Sequence, residues 1–169
     1  MLTTRLEFVI PGVPMAWARA GSNGSQRFTA APQRAYKRAA ALLAKRAMGG
    51  RELFAGPVAL GLVAVFEPPA SWTKKARAAA LAGEVVPTVK PDWDNLGKIV
   101  SDAMNEVVYK DDAQIFEAHI AKRYGEVARV DEVHQRGGWI NKFQGDATLA
   151  VFGAPAAVDD AAARALAAA

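Results

Sequence analysis

Acidic residues gather in one stretch of this chain. Asp92 and Asp94 flank Trp93, and the pair Asp111-Asp112 follows after one short segment. Carboxylates converging in one cleft repel: two unit charges 4 Å apart at an effective dielectric near 20 cost about 4 kcal/mol. A cation between them removes that cost, and all-oxygen ligation selects Mg²⁺ or Mn²⁺ over zinc or copper. Such an ion can polarise a phosphodiester, help generate hydroxide from water and stabilise the leaving oxygen. Lys98, one turn beyond Asp94, is spaced to reach the same phosphate and neutralise charge developing in the transition state.

Simpler readings compete. Asp94 suits a helix N-cap, Asp111-Asp112 suits a solvated turn, and Asp102 is spaced to pair with Lys98 at i,i+4. An EF-hand fits Asp92, Asp94 and Gly97 at loop positions 1, 3 and 6. It fails where Leu96 and Ala103 stand in place of oxygen ligands. His119 and His134 are isolated, which favours surface or packing roles. The chain has no cysteine, excluding disulfides, thiolate metal sites and a cysteine nucleophile.

The elements that must position these groups follow from periodicity. Leu6, Phe8 and Ile10 alternate with Arg5, Glu7 and Val9, predicting a half-buried first strand that Pro11-Gly12 stops. Pro14 to Thr29 is expected to be a loop, with Trp17, Arg19, Arg27 and Phe28 mixing rings and guanidinium groups. Pro32 opens a helix to about Met48, with a stripe of Tyr36, Ala39, Ala40, Leu43 and Ala47. Arg34, Lys37, Arg38, Lys45 and Arg46 lie mostly off that stripe. Pro57 to Phe66 predicts a central strand, and Thr73 to Leu81 a short helix carrying Lys74, Lys75 and Arg77 inside a long basic connection. Pro91 biases Lys90 towards extended backbone. Asp92 and Asp94 are then expected to point the same way as a helix begins, with Leu96, Ile99, Val100, Ala103 and Met104 on its apolar face. Val107-Val108-Tyr109 is expected to return as a short strand. Gln114 to Lys122 and about 147–152 predict two more, before an alanine-rich tail from Ala154.

With 169 residues, 51% of them hydrophobic, the chain fits one domain with a sizeable core. It lacks an apolar run long enough for a bilayer and a signal-peptide pattern, so a cytoplasmic protein without membrane contact is expected. Residues 1–60 carry nine Lys and Arg against two Asp and Glu, a balance of +7, while 61–130 balance at −1 and 131–169 at −2. A basic N-terminal third suits a polyanion such as nucleic acid, though a plain solvated face fits the charge as well.

The stretch from Lys90 to Gln114 narrows this. Its Asp-x-Asp-Asn-Leu-x-Lys, then Asp102-Ala103, then Val-Tyr-Lys-Asp-Asp-x-Gln, resembles the signature of the RusA-type Holliday junction resolvases of phages and prophages. Ser71-Trp72-Thr73-Lys74-Lys75 and the Pro11 to Pro14 segment resemble phage members too. The resemblance spans roughly residues 5–125.

What the resemblance implies is a small α/β (α+β) homodimer, a mixed sheet with two main helices packed on it. Such an enzyme nicks four-way DNA junctions symmetrically with Mg²⁺ (or Mn²⁺), in recombination and repair, leaving 5′-phosphate and 3′-hydroxyl ends. The metal ligands fall on Asp92, Asp94 and Asp112, and the auxiliary catalytic lysine on Lys98. Asp111 and Asp102 take supporting roles. Branched DNA would be held by Arg19, Arg27, Arg34, Lys37, Arg38, Lys74, Lys75 and Lys90. The endonuclease domain is expected over 1–129, with 130–169 an atypical C-terminal extension. Two alternatives stay open: a catalytically inactive branched-DNA-binding protein of a prophage, or a metal nuclease preferring flaps or forks.

Overall fold

The alternation at the N-terminus becomes strand β1 (Arg5–Pro11), with Leu6 and Ile10 turned into the core and Glu7 and Val9 outward. This is a computed structural model describing residues 5–19, 21–23, 26–135, 139–144 and 147–151. The segment expected to be a loop contains two short antiparallel strands, β2 (Gly21–Asn23) and β3 (Gln26–Phe28). The Gly24-Ser25 dipeptide between them is a sequence signal for such a hairpin.

Helix α1 (Ala31–Met48) starts with proline in its first turn and ends on Gly49 in the left-handed conformation at φ 56°. A side chain at that φ is strained, so glycine suits the stop. Its buried stripe runs Gln33, Ala40, Ala44, Met48. Ala39, expected on that stripe, is exposed, because the buried line is rotated by about one residue. Strand β4 (Val58–Phe66) is buried along its whole length. Helix α2 (Lys74–Leu81) is capped by the Thr73 side chain, which accepts from the Ala76 N–H at 3.2 Å. Helix α3 (Trp93–Met104) buries Leu96, Ile99, Val100, Ala103 and Met104, the face its periodicity predicts.

Val107-Val108-Tyr109 does not form the expected strand. The Val108 N–H donates to Met104 at 2.9 Å and the Glu106 N–H to Tyr109 at 2.7 Å, closing a tight turn with Glu106 at φ 61°. Tyr109 anchors it: its ring is fully buried and its hydroxyl donates to the Ser101 carbonyl at 3.0 Å. A single 3₁₀ turn (Asp112–Gln114) leads into β5 (Ile115–Tyr124), and β6 (Arg129–Gln135) follows. A hairpin, β7 (Trp139–Gln144) with β8 (Ala147–Val151), comes after, β7 approaching β4.

The main sheet has the order β1-β6-β4-β5. Strand β6 runs antiparallel to both β1 and β4, and β4 is parallel to β5. The sheet is therefore mixed, and with its helices it makes the α+β fold expected. The core lies between the helices and one sheet face, where Leu6, Ile10, Leu62, Ala64 and Val130 meet α1 and α3. The domain boundary expected after residue 129 falls inside β6, so the main sheet extends to Gln135. The tail from Ala154 lies outside the described residues, as do the side chains of Arg27, Phe28 and His134. Among the described residues no helix is long and apolar enough to cross a membrane.

Candidate active site

The site is organised by where α3 begins. Asp92 keeps extended backbone (φ −69°, ψ 152°) and takes the N-cap position, while Trp93 is already helical. The expectation that Asp94 caps the helix is thus corrected by one residue pair: Asp94 lies in the first turn. A strand's period of two would align Asp92 with Asp94, but a helix advances about 100° per residue. The onset of helix between them breaks that alignment. The Asp92 carboxylate makes no capping bond and is exposed. Asp94 stands where the partial positive charge of the helix N-terminus favours an anion. Lys122 of β5 fixes the approach, its ammonium donating to the carbonyls of Val89 and, at 3.1 Å, Pro91.

The second acidic pair is held by a reciprocal cap. Asp111 Oδ1 accepts from the Ala113 N–H at 2.8 Å. Gln114 Oε1 accepts from the N–H groups of Lys110 at 2.9 Å and Asp111 at 3.2 Å. Gln114 Nε2 donates onward to the carbonyls of Phe54 and Gly56, both at 2.9 Å. One amide thus ties the acidic turn to the segment that feeds β4. The division of labour follows: Asp111 is committed to the cap, and Asp112 lines the neighbouring cleft. Gln114 is absent from the candidate residues drawn from spacing, although Asp-x-x-Gln at 111–114 carries the sequence signature of a capping box.

That cleft is open, about 290 Å³, and is bordered by Trp93, Asp94, Lys98 and Asp112 over a floor that includes Leu60, Ala118 and Ile120. Asp92 is not among its lining residues. Gly97 of α3 faces β5, and a Cβ there would stand 2.5 Å from Ile120 Cδ1, the end of a side chain that would have to turn aside. Lys98 is steadied from the other side, its ammonium 4.7 Å from the centre of the Trp17 ring. Trp17 is itself pinned to the helix start, its backbone N–H donating to the Asn95 carbonyl at 3.0 Å. A cation over an indole is held by the ring quadrupole yet keeps its donors for another ligand.

Asp102 does not pair with Lys98. It faces Lys37 of α1 at 3.4 Å, tying the two helices together. This also gives Lys37, expected on the DNA-binding surface, a partner inside the fold. Arg19, Arg34, Arg38, Lys74, Lys75 and Lys90 are exposed, with Arg34 also donating to the Thr29 carbonyl. The loop before Arg19 is docked on α1 by the buried Gln33, which donates to Ala18 at 3.3 Å. His119 pairs with Glu117 at 2.6 Å, in keeping with a packing role.

Among the described residues no group of three or more histidines and carboxylates converges closely enough to cage a metal ion. Asp94 and Asp112 in one open cleft still suit Mg²⁺, which typically keeps several waters and is held by one or two carboxylates plus substrate phosphates.

The family model described as endodeoxyribonuclease RusA matches residues 10–133, a span that runs from β1 into β6. An uncharacterized protein of Bacillus subtilis (strain 168), YqaN, is 35% identical over 133 residues, covering 75% of this chain and 92% of its own. The matched span contains the acidic turn, the helix start and Lys98, and on this evidence the chain belongs to the RusA endodeoxyribonuclease family.

Proposed function

We propose that this protein is a Mg²⁺- or Mn²⁺-dependent endonuclease that nicks branched DNA, with the four-way junction as its principal substrate. The observation that carries the reading is the meeting of Asp94, Asp112 and Lys98 at one open cleft, in a chain of an endodeoxyribonuclease family. Asp94 and Asp112 would hold the cation, and the exposed Asp92, free of any capping bond, is the third candidate ligand. A bound divalent ion would supply electrophilic activation of the phosphodiester and of an attacking water. Lys98, held against Trp17, places a fixed positive charge on the same cleft, where it can orient a phosphate and offset negative charge as the bond breaks. The exposed cations Arg19, Arg38, Lys74, Lys75 and Lys90 would grip DNA backbone. Two copies related by a two-fold axis would match the symmetry of a junction and place paired nicks, so a homodimer belongs to the proposal.

The test is a labelled four-way junction incubated with the protein and Mg²⁺ or Mn²⁺, with flaps, forks and plain duplex run beside it. Discrete, symmetric nicks in the junction are expected. Asp94→Asn and Asp112→Asn should abolish nicking while junction binding persists. Cleavage by either variant at the parent rate would overturn the ligand assignment. Binding without nicking by the parent protein would identify an inactive branched-DNA binder.

A further inference from the structure

Three tryptophan side chains are described, and two of them are packed. Trp17 lies against Lys98, and Trp72 meets Tyr124 edge-on with ring centres 5.4 Å apart. Trp93 is different: 67% of its surface is exposed, although it opens a helix whose other apolar residues are buried. Burial is the usual fate of so large an apolar side chain. It stands on the border of the cleft with Asp94, Lys98 and Asp112. An aromatic residue left in solvent beside catalytic groups points to a flat ligand that arrives with the substrate.

We infer that Trp93 is a stacking platform for an unpaired nucleobase next to the phosphodiester to be cut. The inference rests on the nuclease reading above and deepens it. The chemistry of the cleft rim favours a base over other partners. Its carboxylates repel phosphate unless a cation intervenes, whereas the uncharged face of an indole attracts the π-face of any base. In continuous duplex every base is already stacked on its neighbours and closed to the indole. At a branch point, where pairs open, a base is available. Trp93 therefore acts as a specificity residue: it rewards branched DNA at the cutting site and leaves duplex contacts, made through backbone phosphates, unaffected.

The experiment uses a four-way junction carrying 2-aminopurine at the branch point, mixed in metal-free buffer with the parent protein, Trp93→Ala or Trp93→Phe. Loss of one base–aromatic stack corresponds to about a 5- to 150-fold loss of affinity. Trp93→Ala should weaken junction binding by that factor, leave duplex affinity and melting temperature unchanged, and raise 2-aminopurine emission relative to the parent complex. Trp93→Phe should restore both affinity and quenching. Equal losses on junction and duplex, or an alanine variant indistinguishable from the parent on both readouts, would overturn the inference. Because these readouts need no cleavage, they stand even if the protein proves unable to nick. Failure of the nuclease reading shows separately, as absence of nicks when metal is added to the parent complex.

Discussion

Gln114 offers the sharpest test of how the acidic turn is held. Its side-chain amide makes four hydrogen bonds, two to N–H groups of Lys110 and Asp111 and two to carbonyls of Phe54 and Gly56, at 2.9 to 3.2 Å. Gln114→Leu keeps the bulk but leaves all four backbone groups without that partner. A hydrogen bond contributes roughly 0.5–1.5 kcal/mol net, and water can reach part of this half-buried site, so a loss of about 2–4 kcal/mol is expected. For a chain of this size each kcal/mol lowers Tm by about 2–4 °C, so melting should fall by roughly 4–15 °C. Activity should fall further than stability explains, because Asp112 begins the 3₁₀ turn that this amide closes. Gln114→Glu separates the two halves of the network: it retains an acceptor for Lys110 and Asp111 but sets a carboxylate against two carbonyls. Urea denaturation of each variant, paired with single-turnover nicking of a junction well below the new midpoint, reads both effects. A leucine variant within about 0.5 kcal/mol of the parent would refute the energetic argument, since that is the scatter of an unremarkable surface change. A destabilised variant that nicks at the parent rate would refute the link to Asp112.

Two further outcomes follow from the packing. Gly97→Ala should change stability by less than about 1 kcal/mol: its Cβ would stand 2.5 Å from Ile120 Cδ1, the free end of a side chain that can turn aside, so the overpacking cost stays near the low end of about 1–3 kcal/mol and a helix-propensity gain of up to about 1 kcal/mol offsets it. Adding Ile120→Val removes the offending atom, so a double-mutant cycle by thermal melting should show the pair coupled; strictly additive effects would contradict the close approach. Lys37→Ala should change stability by less than about 1 kcal/mol, since the 3.4 Å pair with Asp102 is a quarter to a third exposed. A larger loss in urea titration would mean that the pair organises α1 against α3 more strongly than its exposure allows.

Local pattern and long-range pairing explain which parts of the fold were legible. Strands β1, β4 and β5 and helices α1, α2 and α3 announce themselves through periods of two or 3.6, continuous apolar runs and caps such as Thr73, all carried by neighbouring residues. Strand β6 does not, because what makes it a strand is its place between β1 and β4: Val130 faces Ile10 on one side and Ala64 on the other. The turn at Val107 to Tyr109 misleads for the same reason. Two β-branched residues and a tyrosine have strand composition, yet the tyrosine is buried against α3 and its backbone bridges to Phe54, so tertiary packing overrides propensity. The partner of Asp102 was equally hidden, since Lys37 lies 65 positions away while Lys98 stands at the spacing a helix pair favours.

The candidate site divides along the same line. The types Asp94, Asp112 and Lys98 are visible as a motif, and they border one cleft. What spacing alone misplaced is the onset of helix between two aspartates that both satisfy the N-cap preference. An Asp in either position can accept first-turn N–H bonds, so sequence preference cannot choose between them. The choice matters, because starting α3 at Trp93 rather than at Asn95 turns a single pair of aligned carboxylates into one on the cleft border, Asp94, and one off it at the N-cap, Asp92, both exposed. The same shift puts the indole at the helix N-terminus on the rim of the cleft. A residue that reads as a spacer between two aspartates thereby becomes part of the lining of the cleft that holds Asp94, Lys98 and Asp112.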